Sequence, residues 1–91
     1  MKTTHVLKIN TNFCAPIIAG IKNFEIRKND RGFQTGDIIV FQAVNDLGVY
    51  VPHEINNIPF EITYVLNGWG LENGYVILSI KRARKRRRCI K

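Results

Sequence analysis

The sequence predicts a small, mainly β protein of the α+β class. It should have about five to six mostly antiparallel strands curled into a barrel, with one short covering helix. Three observations carry that expectation. Ninety-one residues with 45% apolar content suit one domain with a real core. Short apolar runs recur between turn clusters of Gly, Asn, Asp and Pro. Only one stretch, near the N-terminus, carries a helical stripe.

The first strand is Thr4 to Ile9, with His5, Leu7 and Ile9 on one face, so His5 points inward. Asn10-Thr11-Asn12 offers helix N-caps, and Phe13, Ile17 and Ile18 form the stripe of a short helix closed by Gly20. Pro16 fits only near the beginning of that helix, because deeper in it forfeits a backbone hydrogen bond. Cys14 reads as a small apolar residue there, with no basic neighbour to activate it. In the next run Phe24 and Ile26 alternate with Asn23, Glu25 and Arg27, the period-two pattern of a half-buried strand. Lys28 to Gly32 is a polar turn. Ile38 to Val44 is apolar on both faces, as a central strand would be. Asn45 to Gly48 turns the chain into a short edge strand, Val49-Tyr50-Val51, stopped by Pro52. Asn56 to Pro59 is another turn. Phe60 to Leu66 and Tyr75 to Ile80 are the last strands, joined by the glycine-rich loop Asn67 to Gly74. That loop carries Trp69, which plugs the barrel end or stacks on a ligand, the plug being favoured.

The formal charge of +7 is unevenly divided. Residues 1–80 sum to −1, and residues 81–91 carry +8 through Lys81, Arg82, Arg84, Lys85, Arg86, Arg87, Arg88 and Lys91. The expected organisation is a domain over 1–80 and a basic tail over 81–91, without order beyond about Arg84 because like charges repel and cannot bury. The partners of such a tail are polyanions, bound with steep salt dependence and without sequence specificity. A solubility tail or a receptor-read address would have the same composition.

Lys22 to Arg31 packs six charges into ten residues. On one strand Glu25 and Arg27 share a face, about 6.5–7 Å apart. With Lys22 at the corner just after Gly20, they can form a polar recognition site, with Lys28, Asp30 and Arg31 at its rim. The competing reading is a solvated strand whose charges pair weakly with each other, each contact worth about 0–1 kcal/mol. Elsewhere the sequence has no HExxH, no Walker loop, no GxSxG and no metal-like His/Cys/Asp/Glu cluster, and Ser79 is its only serine. No catalytic residue, metal or other cofactor is expected. Two distant cysteines, no signal-like N-terminus and no membrane-length apolar run point to a soluble, cytoplasmic protein, monomeric by default.

The run from His5 to Ile9, the helix ending in Gly20 and Gly20-x-Lys22-x-x-Glu25-x-Arg27 resemble the ASCH group of PUA-like domains. The wider resemblance is to the small bacterial and phage proteins grouped as DUF3850. It continues through Phe24 to Arg31, Gly36-Asp37-Ile38, Ile62 to Leu66, Gly70-Leu71, Gly74-Tyr75-Val76 and Leu78-Ser79-Ile80. It is weak from Asp46 to Pro59 and does not include the basic tail. The resemblance implies a PUA-like β-barrel whose pocket, beside the Gly20–Arg27 corner, binds RNA or a nucleotide-like ligand. DNA is the alternative nucleic acid. On that basis Lys22, Glu25, Arg27, Lys28, Asp30, Arg31, His5 and Trp69 are the candidate ligand residues, and Lys81, Arg82, Arg84, Lys85, Arg86, Arg87 and Arg88 the candidate phosphate contacts. A related branch resembles this chain at Lys22 and Arg27 and hydrolyses amides on modified cytidine with a lysine and a threonine. Glu25 stands where that threonine would be, which replaces a hydroxyl with an anion and weakens the enzymatic alternative built on Lys22 and Glu25. A third reading is a phage-type accessory protein that grips an acidic protein partner through its tail.

Overall fold

The structure, a computed structural model, describes residues 2–83. Its elements are β1 (Thr4–Asn10), α1 (Thr11–Ile18), β2 (Phe24–Lys28), β3 (Ile38–Val44), a 3-10 turn (Glu54–Asn57), β4 (Pro59–Asn67) and β5 (Tyr75–Arg82). The strands form one five-stranded sheet in the order β1-β3-β4-β5-β2. The β1–β3 pair is parallel and the other three are antiparallel. The expected mainly β architecture with one helix is present. The sheet is an open half-barrel, with β1 and β2 as its edges.

Two features curl it. Thr63 is an extra residue in β4, where the register with β5 slips between Ile62 and Tyr64. Such a bulge bends the strand and moves the core-facing positions from Phe60 and Ile62 to Val65. At the open side, side chains join the two edges. Arg27 Nη2 of β2 donates to the Lys8 carbonyl of β1, and Arg31 Nη1 donates to the Val6 carbonyl at 3.3 Å. In a flat five-stranded sheet those edges would stand about 19 Å apart, beyond an arginine's reach. Val6 and Lys8 are two apart, so their carbonyls point the same way along β1, as acceptors on its outer edge. The guanidinium groups thus satisfy the seam that a sixth strand would have paired.

The inner face is filled by Leu7, Ile39, Phe41, Ile62, Val76 and Leu78, each at most 1% exposed, with Phe41 set edge-on to Phe60. One end is closed by α1, which buries Cys14 and Ile17, and the 3-10 turn buries Ile55. Phe13 does not join that face. It is 47% exposed, because the core-facing line of so short a helix runs from Cys14 to Ile17. Pro16 is the sixth of eight helical residues, later than expected. The Asn12 carbonyl that loses its partner is exposed to water, while the Pro16 carbonyl accepts from both Ile21 N and Lys22 N at 2.9 and 3.0 Å. Val49 to Val51 is not a strand. Tyr50 makes one isolated bridge to Val44, and Pro52 has no N–H with which to extend the ladder. The turn expected at Asn56–Pro59 is instead the 3-10 turn, with His53 Nδ1 accepting from Ile55 N at 3.1 Å.

Lys81 and Arg82 belong to β5, opposite Glu61 and Phe60 of β4. Arg82 Nη2 also donates to the Ile18 carbonyl at 3.2 Å, fastening the end of α1 to the end of β5. The remainder of the basic tail, from Arg84 on, lies outside the described residues.

Candidate functional site

The charged corner forms because α1 stops abruptly. Gly20, with φ +78°, takes the left-handed conformation that lets the chain leave the helix, and the shared Pro16 carbonyl fixes the next two residues. Lys22 is thereby delivered to the start of β2. The alternation of β2 is real, but its polar side is the buried one. Glu25 pairs with Leu78 and Arg27 with Val76, both core residues of β5, whereas Phe24 and Ile26 pair with Ser79 and Ile77. Directly opposed residues share a face, so Glu25 and Arg27 turn into the half-barrel and Phe24 and Ile26 turn out. The strand is therefore not a fully solvated one: Glu25 is buried and Arg27 half-buried, although their charges do pair with each other.

Glu25, 8% exposed, accepts from Lys22 Nζ at 3.2 Å through Oε1 and from Arg27 Nε at 3.0 Å through Oε2. Lys22 Nζ also donates to the Phe24 carbonyl at 2.8 Å. Its ammonium lies 4.7 Å from the centre of the Phe24 ring and 5.1 Å from that of Phe13, within cation–π range of both. The result is a cleft of about 420 Å³ lined by Phe13, Lys22, Phe24, Glu25 and Ile26. Its walls are two half-exposed aromatic rings and an isoleucine, its polar groups are Lys22 and Glu25, and Arg27 stands behind Glu25 without lining the cleft. Such a site can hold a flat, electron-rich group against the rings and an anionic oxygen near the cations. Among the described residues no hydroxyl bonds to Lys22, so a lysine–hydroxyl pair is not assembled here.

Of the other sequence candidates, Arg31 is at the seam on the Val6 carbonyl, and its contact to Asp30 on the exposed surface is long, 3.9 Å. Lys28 is exposed at the end of β2. His5 shares no hydrogen bond with Lys22, Glu25 or Arg27. It is buried against Phe33, and its Nε2 lies 2.9 Å from Asp37 Oδ2. Asp37 also accepts from Thr3 N and Gln34 N. Burial alone would push the Asp37 carboxyl up, but the hydrogen bonds from His5, Thr3 and Gln34 outweigh it and hold it below its ordinary value. Its stabilising contribution is present above the unfolded value of about 4 and is lost as pH falls through the lower folded value. Asp37→Asn should therefore cost about 2 kcal/mol at neutral pH and flatten the fall in stability on acidification, as read from urea melts between pH 2 and 7. His5 and Asp37 form a structural strut.

Trp69 does not plug the half-barrel. It is 91% exposed at the tip of the β4–β5 loop, with φ +55° between two left-handed glycines, Gly68 and Gly70. A tryptophan pays for that backbone with no burial in return. Trp69→Gly should leave stability unchanged or raise it by up to about 1 kcal/mol in thermal melts.

Phe13 and Phe24 are the site residues that sequence reasoning missed, because both read as core positions. The signal was the pairing of Glu25 and Arg27 on one face of an edge strand, which sends the intervening apolar residues outward.

The profile of the family described as "Domain of unknown function (DUF3850)" matches residues 4–80. No curated protein matches the chain. A solved structure described as "Crystal structure of hypothetical protein PH0355" superposes with a TM-score of 0.59 at 16% identity, covering 89% of this chain and 100% of that one. At that identity the likeness concerns the fold.

Proposed function

Starting from a chain that belongs to the DUF3850 family, we propose that it is a small RNA-binding module of the ASCH, PUA-like type. In this reading the cleft at the α1–β2 corner takes a base, and the basic C-terminal run holds flanking phosphates. The observation that carries it is the pair of half-exposed rings, Phe13 and Phe24, set around the Lys22 ammonium. Single-stranded nucleic acids are bound by this combination of stacking surface and cation, the ring supplying sequence-tolerant contact and the cation the backbone attraction. Arg27 is a positioning residue. Two of its donors are taken by Glu25 and Lys8, so it shapes the cleft more than it reaches a ligand.

Amide chemical-shift mapping with an oligouridylate tests the reading. The largest shifts are expected at Phe13, at Lys22 to Ile26 and in the basic run. Shifts confined to the basic run would overturn the base-binding cleft. Shifts produced by an acidic peptide, and not by RNA, would favour an accessory protein with a protein partner.

A further inference from the structure

We propose that the β4–β5 loop forms a second base-binding subsite, which takes an adenine by its amino-bearing edge and gives the module a sequence preference. This rests on the RNA-binding reading and adds to it which base is read. The loop and the end of β2 enclose a cleft of about 400 Å³, whose lining includes Asn29, Asn67, Leu71, Glu72, Asn73 and Val76. That volume falls in the range of small-ligand pockets. Backbone hydrogen bonds hold its walls in place. Asn29 N donates to the Gly74 carbonyl at 2.8 Å, Leu71 N to that of Gly68 at 3.1 Å, and Tyr75 N to that of Glu72 at 3.0 Å. The cleft is therefore formed before any ligand arrives.

The polar groups select the occupant. Three carboxamide residues and one carboxylate residue line the cleft beside the apolar Leu71 and Val76. Asn29 Oδ1 accepts from Phe33 N at 3.1 Å, whereas the side chains of Asn67, Glu72 and Asn73 make no hydrogen bond among the described residues. A carboxamide pairs with adenine through two bonds, accepting from the amino group and donating to a ring nitrogen. Glu72 offers an acceptor to the second amino hydrogen and repels a phosphate, so the base enters and not the backbone. Lys28, exposed on β2 opposite Tyr75, is the neighbouring cation for that phosphate.

Trp69 supplies the stacking face. It follows Gly68, which lines the cleft, and it holds φ +55° while 91% exposed. A strained backbone that packing does not repay is a mark of function. Rotation of the exposed indole brings its face over a base in the cleft. This subsite is distinct from the corner cleft. Phe24 at the start of β2 lines one and Asn29, just past its end, lines the other, with about 13 Å of strand between them.

Trp69 is the only tryptophan, so its fluorescence reports on the loop. Adenosine and inosine monophosphates, which differ by an amino group against a carbonyl oxygen, are titrated into the full chain. Adenosine monophosphate should quench Trp69 and bind about tenfold more tightly than the inosine compound. Glu72→Gln and Asn73→Ala, with folding checked by circular dichroism, should each reduce that preference. Both should leave oligouridylate binding, followed by fluorescence anisotropy of the labelled RNA, within about twofold of wild type, since that ligand is read at the corner. Trp69→Gly should weaken an oligoadenylate about tenfold. Equal binding of the two monophosphates, or quenching by ribose 5-phosphate as strong as by adenosine monophosphate, would overturn the adenine subsite. Oligouridylate binding that is lost in Phe13→Ala/Phe24→Ala would then leave the corner reading standing. Conversely, if that double variant binds oligouridylate like the wild type while adenosine monophosphate still quenches Trp69, the corner reading falls and the loop subsite remains.

Discussion

Glu25→Ala is expected to lower folding stability by about 2–3 kcal/mol, measured as the shift in a urea unfolding curve. Removing one member of a buried ion cluster leaves the others uncompensated, which costs about 3–5 kcal/mol where burial is complete. Here Lys22 and Arg27 keep 17% and 24% of their side-chain surface exposed, so water recovers part of that loss. The effect should spread beyond the site. Arg27 is oriented by Glu25 and carries the Lys8 carbonyl of β1, so its release loosens the seam between the two sheet edges. Two cations left facing each other also repel, and added salt should return part of the loss. Glu25→Gln, which keeps one acceptor oxygen, should lose less. A change below about 0.5 kcal/mol for Glu25→Ala would place these residues with ordinary surface ion pairs.

The second large effect concerns affinity. Replacing Arg84, Lys85, Arg86, Arg87 and Arg88 by glutamine in the full chain should flatten the dependence of RNA binding on salt. Each single-strand phosphate contact contributes about −0.7 to the slope of log K against log salt. Five lost contacts would remove up to about 3.5 from the slope, enough to weaken low-salt binding by two or more orders of magnitude. Preference among RNAs should change little, because phosphate contacts carry no sequence information. An unchanged slope would mean that the run serves another partner.

The legible part of this molecule is what local pattern determines. β1 with His5, Leu7 and Ile9 inward, the doubly apolar β3, the cap at Asn10 and the exit at Gly20 follow from period, capping and glycine chemistry within a few residues of each other. What did not follow depends on partners far away in the chain. The inward turn of Glu25 and Arg27 is set by their register with Leu78 and Val76 and by the β1 carbonyls waiting across the seam. Likewise His5 is a strut because Asp37, thirty-two residues on, accepts from it. Trp69, by contrast, stays exposed on the β4–β5 loop, which leads into the start of β5, while α1 meets the other end of that strand. The candidate site was half legible in the same way: its charges were visible as a cluster, but its aromatic walls were hidden among residues that read as core.

The most direct test of the base-binding cleft is oligouridylate affinity at about 0.5 M salt, where long-range attraction to the basic run is largely screened. Wild-type protein and Phe13→Ala/Phe24→Ala are compared after both are shown to be folded. Stacking is only weakly screened and is worth about 1–3 kcal/mol per base, so the wild type should keep binding that the variant loses by tenfold or more. Equal affinity in the two proteins would contradict the account and leave the corner as a device that closes the sheet.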